Sequence, residues 1–276
     1  MTSEIVQKYF RIENLPHIWC PGCSNGVVTR ALTVAIDELG LDQDNIVVVS
    51  GIGCSSRAPG YLDFNTLHTT HGRGLAFATG IKLANPKLDV ILIAGDGDVS
   101  AIGGNHLIHA ARRNIDITTI VFNNNIYGMT GGQYSPTTPT DAKGTTAPHG
   151  NIDKPFDIAQ LATAAGATYA SRTTAYHVNQ MVKYFKDAIT NKGFSMVEVA
   201  SICPTYYGRK NKSGSGVQMM QTLKNDFIDR MAYDKLPEEK KAGKHLMGVF
   251  KNITLPEYTA EYQRVIEALQ GGESNE

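Results

Sequence analysis

Cys20, Cys23, Cys54 and Cys203 are the four cysteines of this 276-residue sequence, a close pair followed by two distant singles. Four thiolates are the number that holds one [4Fe–4S] cluster. The same four are too few for a disulfide scaffold in a chain of this length. Taken alone, Cys20-Pro21-Gly22-Cys23 also fits a thioredoxin-like dithiol, but it precedes the first expected strand, and a dithiol has no use for Cys54 and Cys203. A zinc site of four cysteines would take the same ligands; separations of 31 and 149 residues are unlike the compact ribbons that hold structural zinc.

The second group is Gly95-Asp96-Gly97-Asp98, which follows the apolar run 90–94 and leads into a helix expected to begin near Gly103. Its backbone N–H groups can therefore face an anion. Asn124 stands 28 positions after Asp96, inside Asn123-Asn124-Asn125-Ile126-Tyr127. Read singly, each motif is as good a tight turn as a ligand site. Read together, a carboxylate and an amide oxygen one βα unit apart suit a hard cation that bridges protein and phosphate oxygens. The pairing resembles the diphosphate motif of thiamine-diphosphate enzymes, in which the acid of Gly-Asp-Gly and a later Asn bind a divalent metal. That resemblance implies Mg²⁺ held by Asp96, Asn124 and the Ile126 carbonyl.

Short β-branched runs alternate with stretches of helical period, the pattern of βαβ units. Strands are expected at 45–50, 89–94, 118–122 and 195–200. Val28, Leu32, Ala35, Ile36 and Leu39 share one helical face, and Val178, Met181, Val182, Phe185, Ala188 and Ile189 share another. The expected fold is an α/β domain, an open and mainly parallel sheet with helices on both faces. Cys54, Asp96, Asn124 and Cys203 then all fall just past strand C-terminal ends, where open α/β sheets bind ligands. Residues 128–155 are rich in Gly, Thr and Pro without apolar period, a loop longer than a connector needs and so a functional or disordered one. Residues 1–215 read as one domain and 216–276 as a C-terminal helical extension that wraps its surface or a neighbour.

Composition narrows the partners. Lys plus Arg and Asp plus Glu number 26 each, so no global field draws nucleic acid or an anionic membrane. No apolar stretch is long enough to cross a bilayer, and the first residues lack a basic-then-apolar leader, so a cytoplasmic protein is expected.

Five segments together resemble the β subunit of 2-oxoacid:ferredoxin oxidoreductases over about the first 215 residues. They are Trp19-Cys20-Pro21-Gly22-Cys23, Gly51-Ile52-Gly53-Cys54-Ser55, His71-Gly72-Arg73-Gly74, Gly95-Asp96-Gly97-Asp98, and Ile126-Tyr127-Gly128-Met129-Thr130-Gly131-Gly132-Gln133. The resemblance implies that Ile52, Gly53, Cys54, Ser55, His71, Gly97, Asp98, Gly128 and Met129 line thiamine diphosphate, and that the four cysteines hold one [4Fe–4S] cluster. His71, Met129 and Arg209 are the candidate catalytic residues; His71 on its own reads more readily as a surface or packed histidine.

The implied reaction is oxidative decarboxylation of a 2-oxoacid, with coenzyme A taking the acyl group and a ferredoxin the electrons. The implied partner is an α subunit carrying the pyrimidine-binding domain, in an α₂β₂ assembly. The text around Cys203-Pro204-Thr205 and Tyr207-Gly208-Arg209-Lys210-Asn211 is similar to the 2-oxoglutarate branch. Arg209 there would pair with a distal carboxylate or coenzyme A phosphates, or belong to a solvated basic loop. Gly131 stands where some family members carry a Lys, which leaves pyruvate and branched-chain 2-oxoacids open, alongside a non-redox thiamine-dependent decarboxylase or carboligase.

Overall fold

Aliphatic and β-branched runs build the central strands, and each such strand is buried on both faces. In the computed structural model, which describes residues 4–272, the chain begins with α1 (Glu4–Tyr9) and α2 (Asn25–Leu39) and enters the sheet at β1 (Ile46–Ser50) and β2 (Asn65–His68). It continues through α3 (Gly74–Ala84), β3 (Asp89–Gly95), α4 (Gly104–Arg113) and β4 (Thr118–Asn123). After a long loop come α5 (Ile158–Ala165), β5 (Tyr169–Thr174), α6 (Val178–Thr190) and β6 (Ser195–Ala200). The C-terminal part holds α7 (Gly216–Asp226), β7 (Phe227–Asp229), the single-turn helices α8 (Arg230–Tyr233) and α9 (Glu238–Lys241), β8 (His245–Asn252) and α10 (Tyr258–Gly272).

All eight strands form one sheet in the order β2-β1-β3-β4-β6-β5-β8-β7. Every pairing is parallel except β5 with β8. Because side chains alternate along a strand, neighbours in β1 enter opposite layers. Ile46 and Val48 join the layer of α2 and α6, with Leu32, Ile36 and Phe185. Val47 and Val49 join the layer of α3, α4 and α5, with Leu75, Leu107 and Ile158. The fold is the expected α/β sheet covered on both faces.

The four expected strands are present within one or two residues at their ends, and both expected helical faces are buried. The expected helical extension is only partly helical. Its strand β8 runs antiparallel to β5 and enlarges the sheet, so this segment is integral to the domain edge. Residues 273–276 of that extension lie outside the described residues. Among the described residues no helix is long and apolar enough to cross a membrane.

Candidate active site

Parallel register brings the C-terminal strand ends into line. Ser50 of β1 pairs with Ile93 of β3, Gly95 with Phe122 of β4, and Asn123 with Ala200 of β6. The residues that follow these ends, Gly51 to Cys54, Asp96, Asn124 and Cys203, are thereby gathered at one sheet edge. Ile52, Gly53, Cys54, Ser55, His71, Gly97, Asp98, Gly128 and Met129 all line one cleft there, together with Asp96, Asn124 and Ile126.

Asp96 is 2% exposed. Burial raises its carboxyl pKa to about 6, against hydroxyl and backbone donors that favour the anion. A buried carboxylate beside the Asn124 amide is the donor set a hard cation takes, so these residues fit Mg²⁺. Asn124 Oδ1 accepts from Ile126 N–H at 3.2 Å, which folds the Asn124-Asn125-Ile126 turn and fixes the amide. Asp98 lies beneath the cleft: Gly72 N–H donates to its Oδ1 at 2.8 Å and Ile52 N–H at 3.3 Å. His71 Nδ1 is 2.6 Å from the same oxygen, close enough to pair when protonated but without the alignment of a hydrogen bond. Burial raises the Asp98 pKa too, partly offset by the Gly72 N–H and the imidazole.

Two glycines are required by this packing. A β-carbon at Gly51 would stand 2.0 Å from Asp98 Oδ2, and one at Gly97 would stand 2.2 Å from the Tyr127 ring. Tyr127 Oη in turn donates to the Gly97 carbonyl at 3.1 Å.

The thiols approach the same cleft from outside. A β-carbon at Gly128 would meet Cys54 Sγ at 3.4 Å and Cys203 Sγ at 3.7 Å, so this cleft-wall glycine packs close to two of the sulfurs. Cys54 itself lines the cleft. The Cys20–Cys23 turn lies against the Cys203-Pro204 step, with a β-carbon at Gly22 placed 3.6 Å from Pro204 Cγ. The Cys23 thiol lies within electrostatic reach of Cys203, Cys54 and Cys20. Burial pushes Cys23 and Cys54 to about 11, so both are protonated at neutral pH. Among the described residues no three Cys, His, Asp or Glu side chains close around a single ion.

The family described as thiamine pyrophosphate enzyme, C-terminal TPP binding domain, matches residues 51–199. The 2-oxoglutarate synthase subunit KorB of Methanothermobacter thermautotrophicus is 50% identical over 264 residues, 96% of this chain and 92% of that protein. Its counterpart from Methanocaldococcus jannaschii is 52% identical over 263 residues, 95% of this chain and 97% of that one. This chain belongs to the β subunits of the 2-oxoacid:ferredoxin oxidoreductases. Its fold matches the solved 2-oxoglutarate:ferredoxin oxidoreductase from Magnetococcus marinus with 2-oxoglutarate, coenzyme A and succinyl-CoA bound. The TM-score is 0.85 at 30% identity, over 98% of this chain and 92% of that one.

Arg209, expected either at a ligand or on a solvated basic loop, lies on the surface in this β subunit. It is exposed, just after the Pro204–Gly208 turn, and is absent from the cleft wall, because that turn carries the chain away once Cys203 has been placed. Sequence reasoning also missed Ser135 and Thr137, whose hydroxyls reach Asp96 from the long loop. The only signal was a Gly-, Thr- and Pro-rich loop too long for a connector.

Proposed function

We propose that this β subunit carries thiamine diphosphate with Mg²⁺ and one [4Fe–4S] cluster, and acts in a cytoplasmic oxidoreductase that converts 2-oxoglutarate and coenzyme A to succinyl-CoA. The observation that carries the reading is the wall shared by cleft and thiols: Cys54 and Gly128 both line the cleft, and a β-carbon at Gly128 would stand 3.4 Å from Cys54 Sγ and 3.7 Å from Cys203 Sγ. A dithiol or incidental cysteines would need no such placement.

Thiamine diphosphate, when bound, supplies the electron sink that lets carbon dioxide leave a 2-oxoacid. The chain's own residues do the rest. Asp96, Asn124 and the Ile126 carbonyl hold the cation that offsets the diphosphate charge. Gly97, kept bare by Tyr127, lets the backbone come close to the cofactor. His71 and Met129, both in the cleft wall, would face the reacting end of the cofactor, with Asp98 2.6 Å from the imidazole. Cys20, Cys23, Cys54 and Cys203 would hold the cluster, which would supply an electron acceptor beside the cleft for a ferredoxin partner. Four thiolates are the ligand count of one such cluster. Arg209, from its exposed loop, would meet a distal carboxylate or coenzyme A phosphates only in the assembled enzyme.

All eight strands of the described residues serve one sheet, and the aminopyrimidine end of the cofactor is assigned to an α subunit in an α₂β₂ assembly. The choice of 2-oxoglutarate follows the names of the KorB relatives and the ligands of the Magnetococcus structure. The test is anaerobic co-purification with the natural partner and a panel of 2-oxoacids with coenzyme A and a viologen acceptor. Highest kcat/KM with 2-oxoglutarate supports the reading; preference for pyruvate or a branched-chain 2-oxoacid overturns the substrate, and decarboxylation without viologen reduction overturns the redox role.

A further inference from the structure

Ser135 and Thr137 belong to the loop 128–155, yet they are 2% and 4% exposed. A buried hydroxyl is costly unless it finds a partner, and here both find the same one. Ser135 Oγ donates to Asp96 Oδ2 at 2.5 Å, and Thr137 Oγ1 stands 2.6 Å from that oxygen. Such lengths belong to charge-assisted hydrogen bonds.

Neighbouring groups decide where each proton points. Thr138 Oγ1 gives its proton to the Asn125 carbonyl at 2.6 Å and accepts the Ser135 N–H at 2.8 Å, which anchors Ser135 by its backbone. Thr137 Oγ1 also lies 3.0 Å from Asn123 Oδ1. That amide is oriented by its Nδ2, which donates to Glu198 at 2.8 Å, and its Oδ1 already accepts the Asn125 N–H at 3.1 Å. The single Thr137 proton therefore goes to the shorter contact, Asp96. Both hydroxyls converge on Oδ2, and among the described residues no side chain donates to Oδ1.

We propose that Ser135 and Thr137 are positioning residues for the cation, clamping Oδ2 of Asp96 so that Oδ1 is presented to Mg²⁺. The inference rests on the reading of Asp96 as a Mg²⁺ ligand. The Ser135-Pro136-Thr137-Thr138 segment of the long loop then aims the carboxylate from behind, while Gly128 and Met129 of the same loop line the cleft in front.

The test uses the co-purified assembly and measures, by equilibrium binding of thiamine diphosphate, the Mg²⁺ concentration needed for half-maximal cofactor retention. Ser135→Ala and Thr137→Val should each raise that concentration about tenfold, as expected for losing a hydrogen bond to a charged group. Thr137→Ser, which restores the hydroxyl, should return it to near the wild-type value; a purely structural role for the loop would predict no such rescue. An unchanged Mg²⁺ requirement in both Ser135→Ala and Thr137→Val, with Asp96→Ala still abolishing retention, overturns this inference alone. Wild-type retention in Asp96→Ala overturns it together with the cation site itself.

Discussion

Asp96 and Asn124 are the residues on which cofactor binding should turn. Asp96→Ala removes the one buried carboxylate of the cleft's cation site, and titration calorimetry should find Mg²⁺-dependent thiamine diphosphate binding lost; wild-type affinity would reject the assignment. Asn124→Ala should weaken binding less, because a neutral oxygen contributes less charge stabilisation than a carboxylate. Gly97→Ala should also reduce cofactor affinity, since its β-carbon lands 2.2 Å from the Tyr127 ring and one of the two must move. An unchanged dissociation constant would mean that Tyr127 gives way freely. These positions were legible in the sequence because Cys, Gly-Asp-Gly and an Asn run are uncommon groupings with fixed spacing. Ser135 and Thr137 were not, because the same residue types fill any solvated loop and only burial distinguishes them.

Among the elements, the strands that sequence patterning finds are the apolar ones. Strand β5 escapes it because Tyr169–Thr174 reads Tyr-Ala-Ser-Arg-Thr-Thr, polar at four of its positions yet buried throughout. What permits that burial is an ion cluster: Arg172 donates through Nε to Glu198 at 2.9 Å and also pairs with Asp157, the N-cap of α5. Arg172 Nη1 further donates to the Leu246 carbonyl at 3.1 Å, which ties β8 to the sheet. Strand β8 in turn carries a glycine, Gly248, and a mixed burial pattern, so its period is blurred.

Arg172→Met would leave the buried Glu198 and the half-buried Asp157 without their cation and should destabilise the chain by about 3–5 kcal/mol in denaturant unfolding. A loss under ~1 kcal/mol, the range of an exposed pair, would show the cluster to be incidental. The same cluster sets an acid limit. Burial pushes the Asp157 pKa up, but Arg172 and the Gln160 N–H outweigh it and hold the carboxyl below its usual range. A depressed folded pKa contributes stability above the unfolded value and loses it as pH falls through the folded one. Hydrogen exchange in 245–252 should therefore accelerate below about pH 4, the ordinary Asp value. Protection that is flat through that window would contradict the link between Asp157 and the tail.

Across the whole molecule, the thiols come from three separated places: the turn before α2, the turn after β1 and the step after β6. Only the assembled sheet brings them to one edge, so the cluster site should exist only in the folded chain. Anaerobically purified protein should contain about four irons per chain. Cys203→Ala should lose iron and low-potential electron transfer, and full iron content in that variant would reject the ligand set. Sequence spacing could pair Cys20 with Cys23, but the place of Cys54 in the cleft wall beside Gly128 is a product of strand register. The α/β architecture was legible for a related reason, since a parallel sheet needs no long-range detail beyond alternating apolar runs.

On the proposed function, this chain supplies the diphosphate and cluster half of a catalytic site whose other half lies on a partner subunit. The decisive measurement is 2-oxoglutarate- and coenzyme A-dependent viologen reduction by two preparations. One is the chain alone, reconstituted anaerobically with iron, sulfide, Mg²⁺ and thiamine diphosphate; the other is the same chain co-purified with its partner. Turnover is expected in the pair and none in the chain alone, and robust turnover by the isolated chain would overturn the division of the site between two subunits.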